Sequence, residues 1–144
     1  MMAIRHNALD RVASVLASDQ QASSDFDLNP DIPWRAGRVL RDAGVLMLIE
    51  ETAQGPFVYL TKRASHLKYH PGQIAFPGGK TDPKDADQND TALREAEEEI
   101  GLPRTHVEVL GQLASHETVT GFQVKPVVGL LTRPFDPILE RAEV

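Results

Sequence analysis

The sequence predicts an α/β fold, and three observations predict it. Residues 4–16 and 90–100 carry apolar side chains at helical spacing. Short apolar stretches of strand length lie between and after them, bounded by Gly, Pro, Asn and Asp. No repeat or low-complexity tract interrupts the 144 residues, and 41% of them are hydrophobic, enough for a single globular domain over 1–144.

Taken in order, Ile4, Ala8, Leu9, Val12, Val15 and Leu16 form the apolar side of a first, amphipathic helix. Ser18 to Pro33 is rich in Ser, Asp, Gln, Asn and Pro and reads as a linker or surface loop, so that 1–33 is an N-terminal helix and linker. Gly44 to Glu50 and Phe57 to Lys62, separated by Thr52-Ala53-Gln54-Gly55-Pro56, suit a β-hairpin. After a polar stretch, Ile74-Ala75-Phe76 leads into the Pro77-Gly78-Gly79 turn. Asn89, Asp90 or Thr91 caps a second helix whose apolar side is Ala92, Leu93, Ala96 and Ile100, and Gly101 with Pro103 ends it. Val107 to Leu113, His116 to Thr120 and Val124 to Thr132 follow as strands. The tail from Pro134 to Val144 stops at what reads as the start of another element, as a fragment would.

Composition excludes several functions. Cysteine is absent, which removes disulfides, zinc-thiolate sites and thiol nucleophiles and suits a reducing compartment. The longest apolar run, Val45 to Ile49, falls far short of the ~20 residues of a membrane helix, and Met1 to His6 lacks a signal-peptide core. The expectation is a soluble, cytoplasmic protein without a membrane partner. The net charge is -6, and residues 82–99 hold eight carboxylates against Lys84 and Arg94. That acidic focus repels nucleic acid but attracts metal-chelated phosphate compounds.

Within the focus, Glu95, Glu98 and Glu99 fall inside an arc of roughly 100° on a helix, while Glu97 points the other way. Three carboxylates that close raise one another's pKa unless a cation sits among them. A solvated acidic face is the usual fate of such a run, but it would mix lysines at i, i+4, and here only Arg94 stands at the edge. The preceding Pro-Gly-Gly turn also allows backbone carbonyls to approach whatever the carboxylates hold. An oxygen-lined magnesium site working on a phosphoanhydride fits both features. Two competing motifs fail. A P-loop ending at Gly79-Lys80-Thr81 would need glycine where Ile74 stands, and an EF-hand loop starting at Asp85 would need Gly at Asp90 and Glu at Ala96. His66, His70, His106 and His116 show no ligand spacing.

The pattern Gly79-x5-Asp85-x8-Arg94-Glu95-Ala96-x-Glu98-Glu99-x-Gly101-Leu102 resembles the box of the Nudix hydrolases, G-x5-E-x7-R-E-U-x-E-E-x-G-U, over residues 79–102. Asp85 replaces the first Glu, one extra residue precedes Arg94, and Ala96 replaces a bulky aliphatic. These departures are similar to the coenzyme A diphosphatase branch, whose box often reads G-G-K-x-D and then T-A-L-R-E-A-x-E-E. That branch also carries L-[LF]-T-x-R-[SA]-x3-R-x3-G-x3-[FL]-P-G-G upstream. Leu60-Thr61-Lys62-Arg63-Ala64 and Gly72 through Gly79 match it in register, with Lys68 in place of the second arginine. The stretch Thr118 to Gly129 is similar as well, so the resemblance spans about half the chain, Leu60 to Leu131.

The resemblance implies a Nudix fold, a mixed β-sheet in an α/β/α sandwich. It implies Mg²⁺ or Mn²⁺ held by Glu95, Glu98 and Glu99 with a carbonyl of Gly78 or Gly79, and catalysis by Glu98, Glu95 and Arg94. It further implies substrate contacts from Arg63, Lys68, Gly72 and Gly78. The reaction expected is hydrolysis of coenzyme A or acyl-CoA to 4'-phosphopantetheine, or its acyl form, and adenosine 3',5'-bisphosphate. Glu117 is an outlying candidate for the base, whose identity stays open. Two rivals remain: a diphosphatase for ADP-ribose, dinucleotides or nucleoside triphosphates, and a non-catalytic nucleotide-binding domain. The partner expected is thus a small-molecule substrate rather than nucleic acid, with homodimerisation left open.

Overall fold

The computed structural model describes residues 2–62 and 72–138, with side chains from Ala8 onward. Arg63 and Lys68 lie outside the described residues. The chain begins with helix α1 (Met2–Ala17) and then enters the segment expected to be a linker. It contains instead a short strand β1 (Ser23–Ser24) and one helical turn, α2 (Asp25–Leu28). Polar composition misleads here because the polar atoms are used locally. Ser24 and Asp27 form a reciprocal capping box, and hydrogen bonds join His116 to Ser23 and to Asp25, each at 2.7 Å.

Strand β2 (Arg41–Thr52) is the longest element of the sheet. It turns into β3 (Gly55–Val58), as the hairpin expectation requires, with Ile49 opposite Val58. Thr61–Lys62 does not extend that hairpin. It forms β4, which pairs with β5 (Ile74–Ala75) in a separate two-stranded ladder. Strand β6 (Gly78–Lys80) then returns alongside β2, and helix α3 (Gln88–Ile100) follows. The chain closes through a 3-10 turn (Arg104–His106), β7 (Val107–Gln112), β8 (His116–Glu117) and β9 (Phe122–Leu131). The expected strand over His116 to Thr120 is cut short. Thr118 and Gly121 close a tight turn, in which the Gly121 N–H donates to the Thr118 carbonyl at 3.1 Å and Gly121 takes φ 94°.

The main sheet runs β1-β8-β9-β2-β3, with β6 also on β2 and β7 also on β9. Its β2–β9 and β1–β8 pairs are parallel and the rest antiparallel, so the sheet is mixed, as expected. Strand alternation divides β2 between the two faces. Leu46 and Leu48 turn toward α3 and pack with Val127, Ala92, Ala96, Ile100 and Leu102 in one buried cluster. On the opposite side, α1 lies against β7, and its Leu16 sits where a side chain on Gly111 would otherwise stand.

Helix α3 begins earlier than any of Asn89, Asp90 or Thr91 would have it. Asp87 is the cap, accepting from the Asp90 N–H at 2.9 Å, while Thr91 lies inside the helix, fully buried. The end is as expected. Gly101 takes the left-handed conformation at φ 72°, its N–H bonds the Glu97 carbonyl, and Leu102 folds back onto the core.

Candidate active site

Two elements build the site: strand β6 and the outward face of α3. Gly79 is the residue where they meet. A Cβ at this position would lie 2.7 Å from the Glu95 carboxylate carbon, so only glycine lets the carboxylate lie against the strand. Gly78 is equally confined on the other side, where a Cβ would fall 2.4 Å from the Gly44 carbonyl oxygen. The Pro-Gly-Gly sequence is thus a requirement of contact on both sides of β6.

Arg94 organises the carboxylates. Its Nε donates to Asp85 Oδ1 at 2.8 Å and Nη2 to Asp85 Oδ2 at 3.0 Å, a two-point fork. Nη1 reaches Glu95 at 3.2 Å and Glu98 at 3.3 Å, and Nη2 also touches the Lys80 carbonyl at 3.3 Å. The Asp85 side chain is only 2% exposed, so its charge needs this pairing. The hydrogen bond from Arg94, with help from the Asp82 N–H and the Thr91 hydroxyl, holds the Asp85 carboxyl well below the usual range against the opposing effect of burial. The same bond to Asp85 raises the Arg94 guanidinium, so both stay charged at any physiological pH.

Thr91 lies behind this pair. Its Oγ1 is 2.9 Å from Asp85 Oδ2, 3.1 Å from Thr81 Oγ1 and 3.2 Å from the Asp87 carbonyl oxygen. Asp85 and Thr91 are the positions that sequence reasoning did not count as site residues. The signal for Asp85 was present, since it occupies the first acidic position of the box. Thr91 was marked only as the first residue of the T-A-L-R-E-A run, and its own residue type gave no more, because a buried hydroxyl inside a helix is indistinguishable in sequence from an ordinary cap.

The expected site residues are distributed as follows. Glu95, Glu98, Arg94 and Gly79 come together, with Gly78 alongside. Glu98 stays 59% exposed at the side chain, and Glu99 is half-buried on the same helix. Glu97 points elsewhere, toward Arg104 at 3.8 Å. Gly72 takes φ 70° beside the β4–β5 ladder, next to the Lys62 side chain. Glu117 is poorly suited to act as a base. It accepts from Arg38 at 3.1 Å and Ser24 at 3.0 Å, and the Arg38 hydrogen bond lowers its pKa.

Among the described residues, no three His, Asp or Glu side chains come together closely enough to hold a metal ion by themselves. The donors assembled around Gly79 are nonetheless all oxygens. A divalent cation that completes its shell from water and substrate phosphate fits such a face better than a cage-seeking one. The described helices include none long and apolar enough to cross a membrane.

A strand turning through paired glycines into an acidic helix, on a mixed sheet, is the architecture of the Nudix fold. It is shared with RenU, a Nudix hydrolase from M. Smegmatis, at TM-score 0.60 and 20% identity, covering 76% of each chain. It is shared also with a C. elegans Ap4A hydrolase in a binary complex, at TM-score 0.58 and 22% identity, covering 71% of this chain and 74% of that one. The NUDIX domain family matches residues 40–137, and the chain belongs to that family. Nudix hydrolases generally use divalent metal ions. Among curated relatives, the chain is 57% identical over 76 residues to the uncharacterized Nudix hydrolase NudL of Yersinia enterocolitica, a match covering 53% of this chain and 39% of the relative. It therefore spans less than half the length of that protein.

Proposed function

We propose that the protein is a Mg²⁺- or Mn²⁺-dependent diphosphatase that hydrolyses coenzyme A or acyl-CoA. Water adds to one phosphorus of the diphosphate and the bridging P–O bond breaks. The products are 4'-phosphopantetheine, or its acyl form, and adenosine 3',5'-bisphosphate, with the proton of the water passing to a base. The observation that carries the hydrolytic reading is the Arg94 network, in which one guanidinium joins Asp85, Glu95 and Glu98 while the Glu95 carboxylate lies against Gly79.

In this reading Glu95, Glu98 and Glu99, with the Gly79 carbonyl, hold the cation. When bound, it supplies charge neutralisation at the phosphates and a more acidic water. The chain's own residues do the positioning. Arg94, anchored through Asp85, limits the rotamers of Glu95 and Glu98, so that the carboxylates are held ready rather than searched for at each turnover. The substrate assignment draws on the upstream register from Leu60 to Gly79. It makes Arg63 and Lys68 phosphate contacts, with Gly72 giving the turn and Gly78 the close approach. Lys68 keeps the charge of the expected arginine without its fork.

A second reading, a diphosphatase for dinucleotides, draws on the fold shared with the Ap4A hydrolase. One experiment separates the two. The protein is incubated with Mg²⁺ and coenzyme A, ADP-ribose or diadenosine tetraphosphate in ¹⁸O-water, and the products are identified by mass spectrometry. The proposal expects adenosine 3',5'-bisphosphate from coenzyme A as the fastest product, with ¹⁸O in one of the two phosphates. Faster turnover of ADP-ribose or of the dinucleotide would overturn the substrate assignment.

A further inference from the structure

Strand β6 has a second face, and it carries the opposite charge. Successive residues of a strand project to opposite sides, so Lys80 stands on the side of β6 away from Glu95, directly after Gly79. Its cross-strand partner on β2 is Ala43, and Arg41 lies two residues from Ala43 on the same side. Arg41, Lys80 and Thr81 line a shallow cavity of about 340 Å³ with Asp42, Asp82 and Pro83. The two cations sit on neighbouring strands, at the end of the sheet where β6 gives way to the box loop.

Both are available. Arg41 rests over the Phe122 ring at 4.4 Å, and among the described residues neither its guanidinium nor the Lys80 ammonium is paired with a carboxylate. Among the described residues, neither aspartate forms an ion pair with them. Asp82 is turned into its own loop, where Oδ1 accepts from the Lys84 N–H at 2.9 Å. Asp42 alternates to the α3 side of β2, and its carbonyl takes the Thr81 N–H at 2.8 Å. What remains open to a ligand is an ammonium and a guanidinium braced by an aromatic ring, since the Thr81 hydroxyl is taken up by Thr91 on the α3 side. That set matches a phosphate monoester, which accepts from a point charge and a fork together.

We infer that Arg41 and Lys80 form a subsite for a terminal phosphate monoester of the substrate, separate from the diphosphate that is cleaved. The subsite rests on the reading of the α3 face as the place of diphosphate hydrolysis. Gly79 and Lys80 are consecutive, so a ligand with its diphosphate against the Gly79 side reaches the Lys80 side by passing the end of a three-residue strand. A nucleotide that carries both a diphosphate and a separate phosphate on its ribose has the required form. One that lacks the separate phosphate loses these contacts and keeps the rest.

The test compares coenzyme A with its 3'-dephospho form, using the wild-type chain, Lys80→Gln, Arg41→Gln and Arg41→Lys in Mg²⁺. Each neutral substitution should raise KM for coenzyme A about tenfold, the loss of one charge-assisted contact, with kcat within about twofold. KM for the dephospho form should move far less, and Arg41→Lys should recover part of the loss. Equal KM changes for the two compounds, or no change with either, would overturn the subsite. Should neither compound be cleaved, the diphosphatase reading fails and the subsite is decided by calorimetry without metal. Adenosine 3',5'-bisphosphate should then bind more tightly than adenosine 5'-monophosphate, and only the bisphosphate should weaken with the substitutions. Equal affinities, or indifference to both neutral substitutions, would reject it.

Discussion

The two faces of the sheet are packed by different rules. Toward α3, small residues bring helix and strand together: Ala92 and Ala96 have no exposure, and a Cβ on Gly44 would fall 2.5 Å from the Gln88 carbonyl oxygen. Toward α1, larger side chains meet loosely and leave cavities of about 520 Å³, beside Leu9, Ala13 and Leu16, and about 240 Å³, among Val12, Val15, Met47 and Ile49. A site whose oxygens must hold their places within a few tenths of an ångström sits on the face that cannot shift. The other face has only to exclude water, and approximate packing is enough for that.

The largest effect expected separates chemistry from packing. Glu98→Gln should lower kcat about a thousandfold or more in saturating Mg²⁺, while the urea midpoint stays near wild type because the side chain is mostly exposed. Retained activity would remove Glu98 from its role. Next comes Asp85→Ala, which leaves Arg94 without its buried partner. Equilibrium urea unfolding should show a loss of about 3 kcal/mol, and activity should fall with it. A stable but inactive variant would show that Asp85 positions Arg94 without supporting the fold.

The contrast of faces is tested directly by one substitution on each. Leu46→Ala, in the buried cluster under α3, should cost about 3 kcal/mol. Leu16→Ala, beside an existing cavity, should cost about 1 kcal/mol, since fewer contacts are there to lose. Equal losses would erase the distinction. The smallest effect expected is on acid stability. The Asp25 carboxyl is lowered by its hydrogen bond to His116 and then by the Val119 N–H. A carboxyl depressed in the folded state stabilises fully above its unfolded value and loses that contribution as pH falls toward its folded one. Asp25→Asn should therefore lower the melting temperature slightly at pH 7 and leave it unchanged well below about pH 4. A difference that grows on acidification would contradict this sign.

Much of the fold was legible because periodicity reports burial. Val45 to Ile49 reads as a strand, and Ala92, Leu93, Ala96 and Ile100 read as one side of a helix, since each pattern reflects contact with a single partner. The end of α3 was legible through Gly101. Its start was not, because Asp87, Asn89, Asp90 and Thr91 are all acceptable caps, and the choice falls to Asp87 only because Thr91 is drawn inward to Asp85 and Thr81. The candidate site divides the same way. Glu95, Glu98 and Arg94 announce themselves by spacing on one helix, whereas Glu117 is set by Arg38, 79 residues away, through a contact that no local pattern carries. By charge alone Asp85 is one more surface acid; its place in the box marks it, but its burial against Arg94 and Thr91 is visible only in the fold.

The central pair of the sheet sets a schedule for assembly. Strands β2 and β9 run parallel, and their register joins Arg41 to Phe122, residues 81 positions apart, and keeps that separation through Ile49 and Leu130. Contacts that distant close slowly, because the loop entropy is spent before the pairing returns anything. On the ribosome, α3 can form as soon as it emerges, but the bed on which it is fixed is not complete until β9 has followed. The acidic helix is therefore held first by β2 and β6, which precede it, and its buried side is closed only when Val127 arrives with β9.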